Sequence, residues 1–126
     1  MKARPWSLLV VDADPEVLAT FRRAGRQLPL RLRVARDAEE ALRLAEEGTP
    51  DVVISDLALL GMDGLSLLER LHRRWPGIVR VLHTNGPVPG QGTGVDVPVL
   101  GRPCPEEALR GLLESIGAGL AKARPG

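Results

Sequence analysis

The stretch Asp51-Val52-Val53-Ile54-Ser55-Asp56, continued by Leu57-Ala58-Leu59-Leu60-Gly61-Met62-Asp63-Gly64, decides the fold. Two valines and an isoleucine in one unbroken apolar run predict a buried strand. The run stops on a carboxylate that leads into a glycine-bounded turn before a leucine-rich helix. Asp56 is thereby placed at the carboxyl end of an inner strand, the edge of an open α/β sheet where ligands and chemistry collect.

Working outward, Trp6-Ser7-Leu8-Leu9-Val10-Val11-Asp12 is a second apolar run that ends on an acid. Continuous hydrophobicity, rather than alternation, predicts burial on both faces as in a parallel sheet. Asp14-Pro15-Glu16 follows as a helix start: Asp as N-cap, Pro at the first helical position, an acid near the positive dipole end. Val17, Leu18, Phe21, Gly25 and Leu28 recur at helical spacing. Leu30 to Val34 alternates strictly and suits an edge strand. Asp37-Ala38-Glu39-Glu40 is a capping-box variant opening the next helix, which Gly48 stops.

Beyond Asp56, Leu65, Leu67, Leu68, Leu71 and Trp75 stripe a helix that Pro76-Gly77 breaks. Ile78 to Leu82 is a fourth strand, delivering His83-Thr84-Asn85 to the same edge. From Gly86 to Val95, Gly, Pro and β-branched residues predict a loop where an α/β repeat would place a fourth helix. Val97-Pro98-Val99-Leu100 reads as a short last strand at a sheet edge. Pro105-Glu106-Glu107 starts a final helix striped by Ala108, Leu109, Leu112, Leu113 and Ile116. Residues 117–126, rich in Gly and Ala, are expected to fray. One domain over 1–120 with a frayed tail at 121–126 is the resulting division.

Bulk properties narrow the function. The chain has 126 residues, 44% hydrophobic and 26% charged, with a formal net charge of +1. Length predicts a single domain, and the charge balance gives no case for a nucleic-acid or membrane-surface partner. Cys104 is the lone cysteine, which excludes an internal disulfide. No run approaches the roughly 20 apolar residues of a membrane helix, so a cytoplasmic location is expected.

The segment from Asp56 to Gly64 resembles the phosphoacceptor segment of two-component response regulator receiver domains, in which an aspartate ends the third strand. Leu59-Leu60-Gly61-Met62-Asp63-Gly64 keeps most of the family's following loop and lacks its proline. Right-handed crossovers on a parallel sheet then give a flavodoxin-like, doubly wound, five-stranded sheet of order 2-1-3-4-5. The resemblance implies Asp56 as phosphoacceptor, Thr84 as the hydroxyl that holds the phosphoryl group, and Arg102 in place of the family lysine. It implies Mg2+ held by Asp12, Asp56 and the backbone carbonyl of Ala58, with Asp14 as a further candidate. A histidine kinase or phosphotransfer protein is the implied phosphodonor, and an unidentified protein the downstream partner. An aspartate attacks phosphorus only where its repulsion with the phosphoryl oxygens is offset, which a metal ion and a basic side chain do.

The sequence departs from that pattern. Ala13 stands where the family has its second acid, the direct metal ligand, so Mg2+ binding is expected to be weakened. Arg102 keeps the charge but not the shape of a lysine, and Val99 sits where the family often has a switching aromatic. The expected protein is an atypical, stand-alone receiver and not an enzyme, acting as a protein-interaction module with weak or absent phosphorylation at Asp56. Two alternatives stay open: a receiver that does accept phosphate, and a haloacid dehalogenase-like phosphohydrolase using Asp12 as nucleophile and Asp14 as acid/base. Asp14 reads more simply as the helix cap. His83 is expected to face outward or be satisfied, and His72 to lie on a solvated helix face. Arg22, Arg23, Arg26, Arg31, Arg33 and Arg36 read as dispersed surface charge, and Cys104 as a thiol whose pKa a helix start could lower.

Overall fold

The computed structural model describes residues 5–85 and 97–123. Strands β1 (Trp6–Val11), β2 (Leu30–Ala35), β3 (Val52–Asp56), β4 (Val79–Thr84) and β5 (Val99–Gly101) alternate with helices α1 (Pro15–Gly25), α2 (Ala38–Glu47), α3 (Gly64–Arg74) and α4 (Glu106–Ala123). The five strands form one sheet in the order β2-β1-β3-β4-β5, parallel throughout. The alternating strand is indeed an edge, and the continuous runs lie inside.

Period-two alternation divides the core. Leu8, Val10, Val52, Ile54 and Val81 point to one face, where Leu18 and Phe21 of α1 and Leu109 and Leu113 of α4 cover them. Leu9, Val11, Val53 and Leu82 point to the other, against Ala38, Ala41 and Ala45 of α2 and Leu67, Leu68 and Leu71 of α3. Each fully buried leucine contributes about 1.5–3 kcal/mol. Large leucines on α3 thus compensate for the alanines on α2, and both helices can approach the sheet.

Caps set the helix starts. Asp14 Oδ1 accepts from Glu16 N at 2.9 Å, Asp37 Oδ1 from Glu40 N at 2.8 Å, and Asp63 Oδ1 from Ser66 N at 2.8 Å. The return bond of the second cap goes to Arg36 N rather than to the cap residue itself.

Several boundaries differ from expectation, β4 running over Val79–Thr84 rather than Ile78 to Leu82. β5 begins at Val99, not Val97, although the Pro98 carbonyl already accepts from Leu82 N; proline has no N–H with which to continue the ladder. α4 runs on to Ala123, through residues 117–123, which were expected to fray. Ile116 and Leu120 pack against the buried cluster, and Gly117 lies so close to Trp6 that an added Cβ would stand 2.7 Å from its indole nitrogen. The Gly/Pro-rich stretch 86–95, expected to replace a fourth helix, lies outside the described residues, as do residues 124–126.

Candidate functional site

Parallel strands bring their carboxyl ends to one edge, and the expected positions meet there. Asp12 follows β1, its N–H bonded to Ala35 O. Asp56 closes β3 and pairs in register with His83, so buried Thr84 is the next residue along β4. Thr84 in turn pairs with Gly101, and Arg102 comes directly after, joined to Pro103 by a cis peptide bond.

Arg102 gathers the acids. Its Nη1 lies 3.1 Å from Asp56 Oδ1 and 3.3 Å from Asp12 Oδ2, with side-chain exposures of 20%, 14% and 2% for Arg102, Asp56 and Asp12. Asp12 Oδ1 accepts from Asp14 N at 2.9 Å. Asp12 Oδ2 stands within ion-pair distance of Arg102 but has no hydrogen-bond partner among the described residues. Burial raises the Asp12 carboxyl above its usual value; the Asp14 N–H and the Arg102 guanidinium oppose that rise.

The loop after Asp56 is built around two glycines. Gly61 takes a left-handed φ of 83°, which glycine tolerates without a Cβ clash. Gly64 begins α3 so close to β3 that an added Cβ would lie 1.9 Å from the Asp56 carbonyl oxygen, while its N–H donates to Leu57 O at 2.8 Å. Ser55 Oγ donates to the same Asp56 carbonyl at 2.9 Å. Ser55 and Gly64 therefore fix the peptide that carries the site's central carboxylate. Their residue types signal a strand end and a turn, but not this close approach. Ala58 is held beside Asp56 by a long N–H contact to Oδ1 at 3.4 Å, and Leu60 stands exposed in the loop.

Mg2+ can be tested against this donor set. The buried Asp12 Oδ2 without a hydrogen bond is an oxygen that a cation would satisfy. Against that, Ala13 is exposed and offers no carboxylate, Asp14 is occupied as the α1 cap, and the Arg102 guanidinium already reaches both remaining acids. No group of three His, Cys, Asp or Glu among the described residues is placed to hold a metal. Mg2+ demands near-ideal octahedral geometry, and these residues do not fit it as they stand. What the arrangement does chemically is set one guanidinium between two acids at a partly exposed edge.

Two expectations need correction. His83 neither faces outward nor is satisfied: it is buried, edge-on to Phe21 with ring centroids 5.7 Å apart, and its Nε2 has no hydrogen-bond partner among the described residues. Strand alternation turns it, like Val81, toward α1 and α4. Burial and then the nearby Arg102 charge lower its pKa from 6.5 to about 4. The Cys104 thiol is raised by burial, not lowered, because the residue is partly enclosed. His72 is exposed on α3 as expected. Among the arginines, Arg23 pairs with Glu106 at 2.8 Å, and Arg33 donates to Leu44 O at 2.8 Å, so these two serve local structure.

Among solved structures, the signal receiver domain of an HD domain-containing protein from Pseudomonas fluorescens Pf-5 superposes with a TM-score of 0.81 at 30% identity, covering 98% of this chain and 93% of that one. The receiver domain of AraT from Geobacillus stearothermophilus gives a TM-score of 0.84 at 23% identity, with 95% and 98% covered, a likeness of fold. In sequence, the transcriptional regulatory protein PrrA of Mycobacterium tuberculosis is 39% identical over 64 residues, 51% of this chain and 28% of PrrA. The transcriptional regulator NtrC of Escherichia coli is 33% identical over 75 residues, 60% of this chain and 16% of NtrC. The chain thus spans less than a third of these two relatives. The profile of the response regulator receiver domain matches residues 8–88, more than half of the sequence. With the sheet order, the acid-bearing strand ends and this match in agreement, the chain belongs to the response regulator receiver domain family of two-component signalling.

Proposed function

We propose that this chain is an atypical receiver that acts chiefly as a cytoplasmic protein-interaction module, with Asp56 as the phosphoacceptor position and Mg2+-dependent phosphorylation weak or absent. Receiver domains are signalling modules that generally bind Mg2+ at the phosphorylation site and interact with histidine kinases or phosphotransfer proteins. The observation that carries the proposal is the pairing of one guanidinium with both acids, 3.1 Å from Asp56 and 3.3 Å from Asp12, beside an Ala13 that offers no third carboxylate. Phosphoryl transfer relies on positioned cations to offset charge, and here the resident cation is already matched. Arg102 and Thr84 take the family's basic and hydroxyl positions, while Asp12, Asp56 and the Ala58 carbonyl form the residual metal set.

A second reading, a receiver that does accept phosphate, is favoured by the 14% exposure of the Asp56 side chain beside Thr84. No observation favours the phosphohydrolase alternative, since Asp14 caps α1.

Incubation with a small acyl phosphate and Mg2+, read by intact mass, separates the two receiver readings. Unchanged mass supports the interaction module. Gain of one phosphoryl group by the wild type, but not by Asp56→Asn, replaces it with the phosphoacceptor. Neither transcriptional control, suggested by the names of PrrA and NtrC, nor any particular downstream partner is part of the proposal.

A further inference from the structure

Residues 17–36 carry six arginines and no acid, so a net charge of +1 conceals one strongly basic stretch. It folds into most of α1 and the edge strand β2. Arg23 is held by Glu106, and Arg33 by the Leu44 and Gly48 carbonyls. Arg22, Arg26, Arg31 and Arg36 are exposed, and no ion pair engages them among the described residues.

The outer edge of β2 has a defined chemistry. Pro29 and Ala35 turn their carbonyls inward, to the N–H groups of Trp6 and Asp12. By period-two alternation, Leu30, Leu32 and Val34 therefore turn their backbone groups away from β1. The Leu30 N–H is bonded to Leu28 O at 2.8 Å; the N–H groups of Leu32 and Val34 and all three carbonyls have no partner among the described residues. The same three side chains form a half-buried apolar stripe against the α1 side of the core. Proline, a bulge or brevity protects many edges, but β2 runs for six residues without proline and stays in register with β1 throughout. Its charged residues are all of one sign.

A second copy paired symmetrically along this edge would set Arg31 and Arg33 against their own counterparts, and like charges across strands repel. We propose that β2 takes a sixth strand from an acidic protein partner. The partner is an extended segment of alternating residues: apolar side chains beside Leu30, Leu32 and Val34, and carboxylates beside Arg31, in the field of Arg22, Arg26 and Arg36. This assignment rests on the interaction-module reading only in taking a protein segment as ligand; a failure of peptide binding overturns the assignment, whereas phosphoryl gain at Asp56 decides that reading separately.

The probe is acetyl-Val-Glu-Val-Glu-Val-Glu-Val-amide, titrated into the full 15N-labelled chain by NMR. Saturable shifts concentrated at Leu32 and Val34, with slowed hydrogen exchange of those two amides, are expected. The same peptide with lysine for glutamate should bind at least about fivefold more weakly, and Arg31→Gln, an exposed change, should weaken the acidic peptide about threefold. An added strand turns backbone groups toward β2 at every second residue. N-methylation of the valines and N-methylation of the glutamates should therefore differ, one weakening binding at least about tenfold and the other by less than about twofold. Absence of saturable shifts, equal affinity for the acidic and basic peptides, unaltered affinity in Arg31→Gln, or matching affinities of the two methylated peptides overturns the proposal. So do concentration-dependent shifts at β2 without peptide, which would make a second copy the occupant.

Discussion

Asp12 and His83 are neighbours in the site, and burial acts on them with opposite signs. The folded Asp12 carboxyl titrates above 3.8, so its contribution to stability is fullest below that value and declines as pH rises through the raised one. At neutral pH its charge is held by Arg102. Asp12→Asn should therefore stabilise the protein at pH 7, whereas Arg102→Met should destabilise it by about 2 kcal/mol by stranding a buried carboxylate. In the double variant the loss should be smaller than the sum, and urea unfolding of all four proteins checks this; additive effects would mean that the pair is not coupled. For His83 the folded pKa is lowered from 6.5 to about 4. Its stabilising share is present above 6.5 and is lost as pH falls toward 4, about 3 kcal/mol across that window. His83→Leu should remove this acid sensitivity, exposing the opposite slope from Asp12. If wild type and variant lose stability in parallel between pH 7 and pH 4, His83 is not the titrating group.

At the scale of elements, the junction between β3 and α3 is the tightest point of the site. Gly64→Ala would drive a methyl into the Asp56 carbonyl, 1.9 Å away, and no flexible side chain is there to yield. A loss of about 3 kcal/mol is expected, together with shifted Asp56 and Ala58 amide resonances; a stable variant with an unchanged spectrum would show that α3 can retreat without cost. Sequence pattern made every strand and helix of the described residues legible, because each rests on local periodicity and on caps such as Asp14 and Asp37. It was less informative where a tertiary contact overrides propensity. The glycines of α4 read as fraying, yet Gly117 is what lets the helix lie against Trp6. His83 read as a surface or satisfied residue because strand alternation alone does not say that Phe21 will cover it.

For the whole molecule, the convergence of Asp12, Asp56, Thr84 and Arg102 was readable because parallel strands share one carboxyl edge, a consequence of topology rather than of any single residue. What sequence could not supply was the spacing that lets one Arg102 nitrogen reach both acids. That spacing turns two substitutions, Ala13 and Arg102, into one physical effect: fewer carboxylates and a cation already among them. Restoring both should reverse it. Ala13→Asp supplies an acid at the exposed position beside Asp12, and Arg102→Lys replaces a planar fork by a compact ammonium that can withdraw from Asp12. Neither change alone answers both deficits. The double variant should bind Mg2+ at least about tenfold more tightly than wild type by calorimetric titration, with each single variant in between. Adding Asp56→Asn should cancel the gain, since the metal would lose one of its few oxygen ligands. If the double variant matches the wild type, the arginine is not the competing cation. Should Arg102→Lys alone recover the full effect, the guanidinium is the whole cause and the missing acid at position 13 contributes nothing.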